Sequence, residues 1–194
     1  MTAAQSRRPL RTDARLNREK LLASAAELFA AAGVDVSLEA VARRAGLGIG
    51  TLYRHFPNRD ALVEAVYRQE VDRLCDAADE LRRLHPPDVA LAEWMRRFVA
   101  YAVAKRGLAD ALQSVVASNS GLYANTRERL LAVIAALLSA AVAAGTVRAD
   151  MDPEDVFQAL SGIWLIPDGE HWNERAQRLL TLLMDGLRFG ATSP

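Results

Sequence analysis

From Ser37 to Arg59 the chain reads SLEAVARRAGLGIGTLYRHFPNR, which sets hydroxyl, phenol, imidazole and guanidinium groups among small residues. Gly50, Thr51, Tyr53, Arg54 and His55 can contact phosphates, base edges and thymine methyls, and Arg43, Arg44 and Arg59 flank them. Other chemistry is poorly supplied. One Cys and three His in 194 residues exclude a disulfide framework and make a structural zinc site implausible. Cys75 stands among Asp72, Asp76 and Asp79, whose charges oppose a thiolate. His85 precedes a Pro-Pro break, and Asp168, Glu170 and His171 form a carboxylate–His cluster without a nucleophile motif or metal-ligand partner. The chain is therefore expected to be no enzyme and to need no metal or cofactor.

The elements that must carry these residues are helical. Leu22, Ala25, Ala26 and Phe29 recur at helical spacing, with Gly33 placed to end that helix. Ser37 can cap a short helix with Glu39 in its first turn, and a second short helix over about 49–55 leads to His55. Ala42 and Gly46 stand four apart, as a helix-turn-helix needs. The small residue admits the crossing helix, and the glycine takes a positive φ in the turn. Asn58 caps a long helix that His85-Pro86-Pro87 breaks. Further helices are expected from Asp88 to Lys105-Arg106-Gly107, over 108–118, and over about 126–144. Another follows the Asp152-Pro153 cap to Ile166, and the last runs from about Asn173 to Gly190. The expected fold is all-α, with about nine helices and no strand.

Residues from about Arg15 to Leu62, a quarter of the chain, resemble the DNA-binding region of the TetR family of bacterial transcriptional regulators. The matching residues are Leu22, Ala25, Ala26, Leu28 and Phe29, then Gly33-Val34, Ser37-Leu38 and Val41-Ala42. They continue through Ala45-Gly46-Leu47, Gly50-Thr51-Leu52-Tyr53, His55-Phe56 and Asn58-Arg59. The resemblance implies phosphate contacts from Ser37, His55 and Arg59, with Tyr53 on the backbone and a thymine methyl. It also places Gly50 and Thr51 against the bases. Gly48 departs from the family's usual Ser or Thr, and Ile49 from a commonly polar or basic residue. Arg54 occupies a variable position and is expected to determine specificity; Arg44 flanks the set as a further phosphate contact.

The balance of 24 basic against 24 acidic residues argues against a polyanionic partner only while the chain is undivided. Residues 1–59 hold ten Lys/Arg and five Asp/Glu, and the remainder holds 14 and 19. A basic head on an acidic body suits DNA. The expected division is a DNA-binding head over 1–61, its first 14 residues a flexible basic arm, and a ligand-binding and dimerisation domain over 62–194. Trp94, Phe98, Tyr101, Gln113, Tyr123, Phe157 and Trp164 are expected to line a pocket for a small amphipathic effector. Phe157, Leu160, Trp164, Leu179, Leu183 and Leu187 are expected to form a homodimer interface, since the last two helices carry apolar residues on too wide an arc for one buried face. The uncharged run Leu130–Val147 contains seven Ala and reads as a core helix, not a membrane span. With no targeting segment in view, the expectation is a cytoplasmic, ligand-responsive repressor on a near-palindromic operator. The rival reading is a helical small-molecule binder or enzyme without DNA binding.

Overall fold

In the computed structural model, residues 7–33, 35–106, 108, 112, 115, 121–166, 169 and 171–191 are described, with the side chains of 7–11, 102–106 and 164 excepted. Eight α-helices and one 3-10 turn account for most of these residues, and no strand occurs among them. The helices are α1 (Arg7–Ala32), α2 (Leu38–Arg44), α3 (Ile49–His55), α4 (Arg59–Leu84), α5 (Pro87–Arg106), α6 (Gly121–Ala143), α7 (Pro153–Gly162) and α8 (Trp172–Arg188). The helix expected over 108–118 falls largely outside the described residues.

Local chemistry sets most helix ends. Gly33, Gly46, Gly145 and Gly190 all have φ between 65° and 75°. That left-handed conformation stops the helix before each at little cost for glycine. Ser37, Asn58 and Asp152 accept hydrogen bonds from Ala40, Ala61 and Glu154 amides at 3.1, 2.8 and 2.8 Å. Pro153 follows Asp152 at the first helical position, where its missing N–H has no partner to lose. The same logic corrects the start of the chain. The expected flexible arm over 1–14 is helical from Arg7, because Pro9 sits in the first turn and does not interrupt the ladder. The helix expected to reach Ile166 ends at Gly162 and tightens into a 3-10 turn over Ile163–Leu165.

The described residues pack as two units. The first holds α1–α3 and α4 as far as Glu70, with residues between Val103 and Ser120; the second holds Val71–Ala102 and Gly121 onward. The division by packing thus falls inside α4, where the expected boundary marked its beginning. In the first unit, Leu21, Leu22, Ala25 and Phe29 of α1 bury against Val41 and Ala42 of α2 and Leu52 of α3. In the second, the core includes Leu91, Trp94, Met95 and Phe98 of α5, Ile134, Leu137 and Leu138 of α6, and Val156 and Leu160 of α7. No described helix is long and apolar enough to cross a membrane.

Candidate nucleic-acid interface

Helices of seven residues are too short to persist alone in water, so α2 and α3 depend on tertiary packing. Leu38, Val41 and Ala42 anchor α2, and Leu52 anchors α3, with the buried Phe56 ring at its C-terminus. Between the helices, Gly46 at φ +68° lets its amide reach the Arg43 carbonyl at 3.1 Å. The Leu47 amide then closes on the Ala42 carbonyl at 2.9 Å. Any side chain at Gly46 would be strained by that φ. Gly48 precedes α3 in extended conformation and supplies no side-chain cap.

With Leu52 turned inward, the rest of α3 faces away from the core. Tyr53 is 47% exposed, Gly50 and Arg54 are exposed, and Thr51 and His55 are half-buried. Ser37 is exposed at the N-terminus of α2, and Arg59, half-buried, opens α4 after the Asn58 cap. The eight residues singled out in the sequence therefore lie on or beside one short helix-turn-helix.

The cations are not equivalent. Arg54 folds back along its own helix, donating from Nε to the Gly50 carbonyl at 3.1 Å and from Nη2 to Thr51 Oγ1 at 3.2 Å. Arg44 donates from Nε and Nη2 to Glu27 Oε2 of α1, at 2.9 and 2.6 Å. Sequence reading missed Glu27 because it stands 17 residues from its partner. It also missed Arg18 of α1, whose guanidinium carbon lies 5.3 Å from the centroid of the Phe56 ring. The His55 ring is 6.3 Å from the same Phe56 ring.

In the second unit the aromatic residues expected to line a pocket pack on one another. Trp94 is fully buried and donates from Nε1 to the Leu74 carbonyl at 2.9 Å, which makes it a core pin between α5 and α4. Phe98 lies 5.9 Å from both Trp94 and Tyr101, and meets Phe157 edge-on at 6.3 Å. The Arg127 guanidinium lies over the Phe157 ring, 5.6 Å from its centroid, and pairs with Glu154. Tyr123 is half-buried on α6. Gln113 and the Trp164 side chain lie outside the described residues.

The residues expected at an interface also divide. Leu160 is fully buried in the unit's own core, and Phe157 is half-buried and meets Phe98. Leu179 and Leu183 instead line an apolar groove of about 550 Å³ with Ala159, Gly162, Leu182 and Gly186, and buried Leu187 contributes to its floor. Leu182 is 68% exposed, and Leu165 and Phe189 are more so. A methyl built on Gly162 or Gly186 would meet nothing within 4 Å among the described residues.

The remaining reactive groups are quiet. Burial pushes the half-buried Cys75 thiol up; Arg129 opposes this, while Asp72 and Asp76 add to it. The carboxylates named from sequence are thus the lesser cause. Arg129 is itself held by Asp72 at 2.8 Å. His171 is exposed and lies 3.5 Å from Glu174, and Asp168 and Glu170 lie outside the described residues. No group of three or more His, Cys, Asp or Glu that could hold a metal ion occurs among the described residues.

Residues 21–66 match the family described as bacterial regulatory proteins, tetR family, and residues 86–189 match the SbtR-like transcriptional regulator C-terminal domain. The TetR transcriptional regulator SCO0520 from Streptomyces coelicolor is 49% identical. It superposes with a TM-score of 0.81, covering 88% of this chain and 98% of that one. A TetR regulatory protein from Mycobacterium vanbaalenii is 39% identical with a TM-score of 0.75, covering 93% and 99%. An HTH-type transcriptional regulator of Staphylococcus aureus is 38% identical over 64 residues, 32% of this chain and 35% of that protein. The chain thus spans about a third of the length of the curated relatives it matches. Matches to both halves of the chain, and a helical structure shared along nearly its whole length, establish a DNA-binding regulator rather than an enzyme: the chain belongs to the TetR family of transcriptional regulators.

Proposed function

We propose that the protein is a homodimeric, ligand-responsive repressor that reads a near-palindromic operator with α3. The observation that carries this reading is the face of α3 left open by its anchoring, where Gly50, Tyr53 and Arg54 are exposed beside Thr51 and His55. Ser37, His55 and Arg59 hold phosphates, Tyr53 lies on the backbone and a thymine methyl, and Gly50 and Thr51 approach base edges. Arg54 reads guanine after exchanging its two intrahelical hydrogen bonds for the base. Arg44 is a weaker phosphate ligand, because Glu27 competes for it.

The dimer forms through the groove of α7 and α8, two copies meeting about a two-fold axis. Support comes from Leu179, Leu182 and Leu183 lining an apolar groove, and from Gly162 and Gly186, where an added methyl would meet nothing within 4 Å among the described residues. The two α3 helices then enter successive major grooves about 34–36 Å apart. A small amphipathic effector binds among Phe98, Tyr101, Tyr123 and Phe157. It acts only by binding the DNA-competent and released states with different affinity, typically by about 1–3 kcal/mol. Because α4 begins at the head and continues into the second unit, it is the covalent route for that coupling.

Selection of genomic fragments bound by the protein, followed by sequencing, tests the core of the proposal. A shared inverted repeat is expected among the fragments. Recovery of a random sample of the genome would overturn operator recognition.

A further inference from the structure

The head carries a cation on α1 that the helix-turn-helix itself does not supply. Arg18 is exposed, and its guanidinium carbon lies 5.3 Å from the centroid of the Phe56 ring. Phe56 is only 2% exposed and immediately follows the last residue of α3. Its ring has the His55 imidazole at 6.3 Å, so Arg18, Phe56 and His55 make a short row at the C-terminal end of α3.

Among the described residues no carboxylate pairs with Arg18, whereas its neighbour Arg15 lies 3.5 Å from Glu19 and Arg44 is held by Glu27. An aromatic face attracts a guanidinium through its quadrupole but leaves the N–H groups at the edge of the plane available as donors. The buried ring also restricts the long side chain, so part of the ordering entropy is lost before any ligand arrives. In the homeodomain, one three-helix DNA-binding head, the C-terminal end of the third helix lies against the sugar-phosphate backbone.

We propose that Arg18, seated on Phe56 beside His55, is a phosphate-binding residue that α1 contributes to the DNA-contacting surface. It holds one phosphate oxygen with the guanidinium edge and does not read sequence. This rests on the proposed DNA-binding function, and the experiment separates the two.

The probe is a fluorescently labelled 40-base-pair duplex of random sequence, titrated with the full-length protein over a series of salt concentrations. Each phosphate neutralised contributes about 0.9 to the slope of log K against log salt. Arg18→Gln is expected to weaken binding at low salt and to lower the slope by about 0.9 per head engaged, whereas Arg18→Lys should keep most of the slope. A wild-type protein whose binding shows no salt dependence would overturn the DNA-binding reading, and this proposal with it. Salt-dependent binding by wild type with an unchanged slope in Arg18→Gln would overturn this proposal alone. Thermal unfolding of the same variants covers the structural alternative. If Arg18 only packs on Phe56, the glutamine variant melts lower while its salt slope stays that of wild type.

Discussion

Replacing Leu182 with glutamate separates folding from assembly, because this side chain lines the α7–α8 groove yet remains 68% exposed in the single chain. Fully burying a leucine stabilises by about 1.5–3 kcal/mol, so the part still exposed leaves about 1–2 kcal/mol per copy for association. A two-fold dimer counts that contribution twice, giving about 2–4 kcal/mol in all. At about 1.4 kcal/mol per tenfold, removing it raises the dimer Kd roughly 30- to 700-fold. Leu182→Ala should show the lower part of that range, and Leu182→Glu more, since two carboxylates must then lose water. Sedimentation velocity across micromolar concentrations reads the outcome as a shift from dimer to monomer. The thermal unfolding of the isolated chain should hardly change, because little of Leu182 is packed within it. Leu183 is a poorer probe: it is half-buried, and a charge there would damage the chain's own core as well. A Leu182→Glu protein that still sediments as a dimer would refute the placement of the interface.

Other perturbations address the head and the thiol. Tyr53→Ala should lower affinity for selected operator fragments by at least tenfold in a gel-shift assay while leaving the sedimentation coefficient unchanged; undiminished binding would mean that α3 is not the reading helix. Glu27→Gln removes an exposed ion pair worth about 0–1 kcal/mol to stability. It should tighten binding to random duplex DNA and raise the salt slope by up to about 0.9 per head, as Arg44 becomes available. Weaker binding instead would mean that Glu27 orients Arg44 for DNA. Cys75, its thiol raised mainly by burial, should react with iodoacetamide more slowly in the folded protein than in urea at pH 8. The folded state holds the neutral thiol, so this contribution to stability is complete at neutral pH. It should fade as pH rises past the ordinary thiol range near 8.5. Equal alkylation rates in the two states would contradict that assignment.

The head was legible because its signals are local. A cap at Ser37, a turn glycine at Gly46 and a small residue at Ala42 act within one or two helical turns, and the structure uses each as the spacing suggested. Arg44 and Arg18 were harder to read, since their partners Glu27 and Phe56 are fixed by the crossing of separate helices. In the second unit the sequence pattern identified apolar helices but not which arc of each faces its own core. Leu160 and Trp94 turn inward, whereas Leu182 and Phe189 turn outward, and hydrophobicity is alike on both sides of that division. Arginines near a terminus suggest a tail over 1–14, yet from Arg7 the described residues are helical, with Pro9 in the first turn.

The shortness of α3 has a consequence for its dynamics. Seven residues give few internal hydrogen bonds, and what holds the helix is the burial of Leu52 and Phe56 with α1 and α2. The amides in and just after it, such as that of Phe56 bonded to the Leu52 carbonyl at 2.8 Å, should therefore exchange with deuterium through opening of the three-helix head as a cooperative unit. Fraying from the helix ends would then contribute little to their exchange. The surface proposed to meet the operator thus keeps its shape through buried residues, and a cavity cut at Phe29, in the core of the same head, should loosen the reading helix as surely as a change on its exposed face.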